Sequence, residues 1–149
     1  MIIRIQQEDF DLAVLNRELL AGRSDVGAIA SFIGLVRDLQ GDSLQQMTLE
    51  HYPSMTEKAL QDIAAKAQAR WQVADLAIVH RIGALTPADQ IVMVSVLSAH
   101  RGDAFAACEF IMDYLKTDAP FWKKETSEQG SKWVESRESD IFTRNKWDS

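Results

Sequence analysis

Phe110-Ile-Met-Asp-Tyr-Leu-Lys116-Thr-Asp-Ala-Pro120-Phe-Trp-Lys123-Lys124-Glu125 decides how this chain is read. Phe105, Cys108, Ile111, Met112 and Leu115 recur at helical spacing and lead into the stretch. Pro120 cannot continue that helix, and it biases Ala119 toward extended geometry. Phe121 to Glu125 then reads as a strand. Lys123 shares one face with Phe121 and Glu125, and Trp122 shares the other with Lys124. Lysines therefore stand on both sides of a proline-terminated helix. Such ammonium groups either reach water, as on a solvated edge strand that resists aggregation, or meet an anion.

Working outward, Lys132 to Glu135 pairs with this strand around the polar turn Thr126 to Ser131, giving a C-terminal hairpin. Asp103 is the expected N-cap of the preceding helix. Ala74 to Ile82 and Gln90 to Ala99 are two strong strands joined by a loop at Gly83 to Gln90. Ser54-Met-Thr-Glu57 has the form of a capping box and opens a helix ending near Trp71. Leu44 to Tyr52 alternates as a strand, expected to lie antiparallel to the strand before it. That earlier strand, Val26 to Val36, is a buried run in which Gly34 marks a bulge or a close backbone approach. Arg37 closes it. Ile2 to Gln6 reads as a strand, and Asp9 to Leu20 as a helix stopped at Gly22. The order implies an α+β fold, one domain over residues 1–149, with a mostly antiparallel sheet and three helices. Residues 136–149 form a charged, partly extended tail, where Ile141, Phe142 and Trp147 are available to dock on the domain or on a partner.

With 149 residues and 46% apolar content, the chain can bury a core without metal or disulfide staples. A net charge of -6 argues against a nucleic-acid binder but leaves room for a local basic pocket. The single cysteine, Cys108, excludes an internal disulfide and fits a reducing compartment. No run approaches the roughly 18 apolar residues of a membrane span. The N-terminus enters a strand without the layout of a signal peptide, so a cytoplasmic protein is expected.

Cys108 sits at apolar helical spacing, where a free cysteine behaves as a small hydrophobe. His51, His80 and His100 are far apart and form no metal-ligand spacing, so no metal site is expected. His80-Arg81 reads as structural, and His51 as a loop hydrogen-bonder. His100-Arg101-Gly-Asp103 lies where a strand ends and a helix begins. It reads either as an anion site facing free helix amides or as a solvated turn. Arg37, at a strand end, reads as surface or as site. Together with Lys116, Lys123, Lys124, Lys132 and Arg137, these residues suit either a phosphate-sized pocket or a solvated basic edge. Spacing names no reaction.

Phe32-x-Gly34-x-Val36-Arg37, Leu49-Glu50-His51-Tyr52-Pro53-x-Met55, His80-Arg81-Ile82-Gly83, Ser98-Ala99-His100-Arg101, the Phe110 to Lys124 stretch and Trp133-Val-Glu135-x-Arg137 resemble the large, catalytic subunit family of molybdopterin synthase. The resemblance covers roughly residues 26 to 140 and is weakest over the N-terminal helix and the loop Asp38 to Ser43. It implies an α/β-hammerhead fold and a homodimer within a heterotetramer, each copy binding a small ubiquitin-like sulfur carrier ending in Gly-Gly. The carrier's thiocarboxylate would deliver two sulfurs in turn to cyclic pyranopterin monophosphate, forming the dithiolene of molybdopterin. No cofactor or metal is implied. By position, Lys116 and Lys123 resemble the catalytic lysines, with Lys116 at the carrier tail and Lys123 at the pterin. A base role for lysine would need desolvation or neighbouring cations. Arg37, His100, Arg101, Lys123 and Arg137 resemble substrate-binding residues. Phe32, Met112 and Lys116 resemble the lining of the carrier-tail tunnel. Two further readings are a docking module that performs no chemistry and a Schiff-base lysine enzyme acting on a sugar phosphate.

Overall fold

The strand Gln90–Ser98 (β6) is buried from Val92 onward, residue after residue, because helices cover both of its faces. The computed structural model that shows this describes residues 1–38, 44–127, 130–134 and 143–148. β6 pairs antiparallel with Asp75–Arg81 (β4) on one side and with Ala28–Leu35 (β2) on the other. Ile2–Gln6 (β1) adds parallel to β4, completing a sheet in the order β1-β4-β6-β2. The helices Met55–Arg70 (α2) and Arg101–Asp118 (α3) cover one face, over Leu76, Ile78, Val92, Val94 and Val96. The helix Leu12–Leu20 (α1) covers the other, setting Leu15 and Leu19 among Ala77, Val79, Met93 and Leu97. Each fully buried Leu or Ile in these layers contributes roughly 1.5–3 kcal/mol.

A second sheet has the order β5-β3-β7-β8, formed by Gly83–Leu85 (β5), Leu44–His51 (β3), Phe121–Ser127 (β7) and Gly130–Val134 (β8). Its pairings are antiparallel, and β7–β8 is the expected C-terminal hairpin. Its own small core is Val36, Met47, Leu49 and Leu85. The α+β class with mostly antiparallel pairing is therefore as the sequence implies.

Several local expectations are corrected. β3 does not pair with β2; it lies between β5 and β7, because Met47 and Leu49 bury against Leu85 and Val36. The loop at Gly83 to Gln90 contains β5, which Gly83 opens with φ +87, a turn that favours glycine. α1 is capped by Asp11, whose side chain accepts from Val14 N at 3.2 Å. The N-cap of α3 is His100, since Asp103 sits within the first turn and accepts from Gln72 N at 2.9 Å. At Gly34 the register does shift, and a Cβ there would stand 2.9 Å from Val92 Cγ1.

Trp147 docks as the sequence allowed. Its ring meets Trp71 and Phe110 edge-on, and its indole N–H donates to Asp113 at 2.6 Å. Arg70 donates to the Trp147 carbonyl at 2.8 Å, so the end of the chain straps α2 to α3. Ile141, Phe142, Glu135 and Arg137 lie outside the described residues.

Candidate functional site

Basic residues gather at the two ends of α3. At its N-terminus, His100 caps the helix without a side-chain hydrogen bond, so the first-turn amides are left to another partner. Gly27, Ala99, His100, Arg101 and Gly102 line an open pocket of about 610 Å³ there. Gly27 N donates to Ser98 O at 2.9 Å, and a Cβ on Gly27 would stand 2.2 Å from Ala99 O. Only glycine permits β2 to start this close to the turn. An arginine, a histidine and free helix amides converge, which suits a phosphate or another anion.

At the other end, Lys116 lies in the last turn of α3 and Lys123 in β7. Between them Phe121 N donates to Ala119 O at 2.9 Å, closing the corner that Pro120 forces. Arg37 is exposed just beyond β2, whose last pair is Leu35 with Gln90. His80 pairs with Val92 in the same part of the sheet and stacks on Phe121, the centroids 3.8 Å apart. Topology thus brings Arg37, Lys116 and Lys123 to one end of the sheet. His100 and Arg101 stand at the opposite end, about 22 Å away along the 15 residues of helix separating Arg101 from Lys116. Within one chain these groups do not share a pocket.

Phe32 lies on the β2 face that carries Ala28 and Ala30, toward α3, and is exposed. Met112 is buried in the core that α3 forms with that face. The two flank one layer, with Met112 inside it. Arg37, His100, Arg101, Phe32, Met112, Lys116 and Lys123 are therefore placed, and Arg137 falls outside the described residues.

Glu125 was given no role by the sequence. It is 5% exposed, and its Oε1 stands 3.5 Å from Lys123 Nζ. Lys123 therefore faces a carboxylate, and the cationic surroundings expected from the sequence are not what this contact provides. The inward alternation of Phe121, Lys123 and Glu125 was the available signal. Cys108 is buried; burial, helped by Glu109, pushes its thiol up to about 11, which leaves it inert. Among the described residues no group of three or more His, Cys, Asp and Glu could hold a metal ion, and no helix is long and apolar enough to cross a membrane.

His80 is structural, as its strand-end position implied. Burial lowers its pKa to about 4, against the opposing hydrogen bond of Nδ1 to Arg81 O at 2.8 Å, with the charge of His51 adding to the depression. The unfolded chain binds this proton near pH 6.5 and the folded chain only near pH 4. Stability is thus complete above the unfolded value and falls as pH drops from about 6.5 to about 4, by up to about 3 kcal/mol. Urea unfolding across that window, wild type against His80→Gln, should show the steeper fall in wild type. Matching profiles would contradict the assignment.

Fold and site together define an α+β protein of two four-stranded sheets, with basic residues at both ends of one helix. A sequence model described as MoaE protein matches residues 5–118. The chain is 56% identical over 146 residues to a molybdopterin synthase catalytic subunit of Ralstonia nicotianae, covering 97% of this chain and 83% of that one. It is 51% identical over 147 residues to the catalytic subunit of Vibrio cholerae, covering 98% and 97%. A molybdopterin biosynthesis MoaE protein from Burkholderia ambifaria superposes with a TM-score of 0.86 at 55% identity, covering 99% of this chain and 98% of that one. This chain belongs to the MoaE family of molybdopterin synthase catalytic subunits.

Proposed function

We propose that the chain is a cytoplasmic, single-domain sulfurtransferase that converts cyclic pyranopterin monophosphate to molybdopterin. The sulfur comes from the thiocarboxylated Gly-Gly terminus of a small ubiquitin-like carrier. The observation that carries this reading is the Pro120 corner: it leaves Lys116 on a helix and Lys123 on the following strand at one end of the sheet, with Arg37 nearby. The inert Cys108 agrees with sulfur arriving on a partner.

In this reading the carrier tail enters along Phe32 and Met112. Lys116 contacts its terminal carbonyl and stabilises the charge that develops as sulfur leaves. Lys123, oriented by Glu125, exchanges protons with the pterin and offsets its charge. Arginine's planar fork suits the cyclic phosphate, held by Arg37, Arg101, Arg137 and His100. Because the two ends of α3 are too far apart for one small molecule, His100 and Arg101 serve the lysines of a second copy in a homodimer. Two carriers on that dimer make a heterotetramer.

The test mixes the purified chain with thiocarboxylated carrier and cyclic pyranopterin monophosphate and measures dithiolene product. Product formed only with all three components supports the reading. A stable complex with the carrier but no product would leave a docking module instead. A borohydride-trapped lysine adduct would favour Schiff-base chemistry.

A further inference from the structure

Thr56 is fully buried at 0% exposure, at the start of α2, and its hydroxyl is used twice. Oγ1 donates to Pro120 O at 2.9 Å and accepts from Tyr52 N at 3.0 Å. The first of these bonds spans 64 residues and reaches the corner between α3 and β7. Thr56 N also donates to Tyr52 O at 2.9 Å, so the Tyr52 peptide and the corner are held from one residue. That corner decides where Lys123 stands relative to Lys116.

A proline at this position makes the contact specific. Pro120 has no N–H of its own, and it ends α3 where Ala119 has already left helical geometry. Its carbonyl is met by the Thr56 hydroxyl. One residue further, Phe121 stacks on His80 and sits opposite His51, which fixes the ring side of the corner. The hydroxyl fixes the backbone side.

We propose that Thr56 is a positioning residue for sulfur transfer, its hydroxyl setting the Pro120 corner and through it the placement of Lys123 against Lys116. This rests on the two lysines acting as proposed above. A hydroxyl is required because a group of the same shape without one removes both the donor to Pro120 O and the acceptor for Tyr52 N from this part-buried corner. The corner then shifts to find other partners, and a displacement of about 1 Å at a reacting group can cost on the order of a hundredfold in rate.

The experiment compares Thr56→Ser, Thr56→Cys and Thr56→Val in the three-component sulfur-transfer assay, with thermal unfolding of each. Thr56→Ser keeps the donor and should hold kcat within about threefold of wild type, while Thr56→Val should lower it by about tenfold to a hundredfold. KM for the pterin should stay within about twofold in both, because the phosphate-binding arginines do not touch Thr56. Thr56→Cys, a weak donor, should fall between them. If Thr56→Val does not fold, the order of serine over cysteine carries the test. A folded Thr56→Val with wild-type kcat, or serine and cysteine variants of equal kcat, would overturn the proposal. Lys123→Ala run alongside separates the two levels: full turnover in that variant overturns the catalytic role given to Lys123, on which the proposal rests. Lost turnover in Lys123→Ala with wild-type turnover in Thr56→Val overturns the clamp alone.

Discussion

Turnover in the Lys123→Ala variant is expected to fall by about 10²–10⁴-fold, the range for losing a positioned proton-transfer group. The substitution also strands Glu125, which is 5% exposed and loses the ammonium 3.5 Å away. That should cost about 1–3 kcal/mol of stability, so an activity assay alone would confuse catalysis with folding. Glu125→Gln in the same chain removes the stranded charge. The double variant Lys123→Ala/Glu125→Gln should regain stability without regaining turnover. Lys123→Arg keeps a cation with a different shape and should recover folding more fully than rate. Measured kcat, KM and unfolding midpoints for the three variants check this. Turnover that tracks stability across the set would show that Lys123 matters only for folding.

Gly27→Ala is the second large effect, and here structure and site fail together. The added Cβ would stand 2.2 Å from Ala99 O, a backbone atom that cannot rotate away. Either the start of β2 or the turn at Ala99 must move. Gly27 N donates to Ser98 O at 2.9 Å, so both movements strain the same pairing of β2 with β6. A loss of about 1–3 kcal/mol is expected from forcing atoms into a packed site. The same movement displaces Ala99, His100 and Arg101 from their places in the pocket. KM for the pterin phosphate should therefore rise more than kcat falls, the reverse of the lysine variant. Gly22→Ala is the control, because a Cβ there meets nothing within 4 Å and only its φ of +76 is strained. It should cost stability without moving KM.

The elements that the sequence made legible were those with a strong local signal. Pro120 marked the end of α3, Ser54 and Glu57 marked the start of α2, and the long apolar run marked β6. What the pattern concealed was partnership between strands. β3 and β2 are neighbours in sequence, yet β3 joins a second sheet whose buried core, among the described residues, is Val36, Met47, Leu49 and Leu85. Alternation identifies β3 as a strand without naming its partner, and β5, three residues long, is invisible without one. The cap of α3 was misplaced because Asp103 spends its carboxylate on Gln72, a contact across 31 residues.

For the site, residue type pointed to anion binding, and the family motifs supplied the roles. Spacing set Arg101 and Lys116 at the two ends of the expected helix, but it could not show that the helix runs unbroken between them. Nor could it show that Glu125 turns inward to Lys123, or that Thr56 reaches Pro120.

That separation is the centre of the account, because it requires one site to be assembled from two copies. The direct measurement co-expresses Lys123→Ala and Arg101→Ala chains and assays sulfur transfer by the mixed dimers. Each variant alone should be nearly inactive. Half of randomly paired dimers would carry one intact Lys123 opposite one intact Arg101, restoring about a quarter of wild-type turnover. Activity no greater than the two variants measured separately would contradict the shared site.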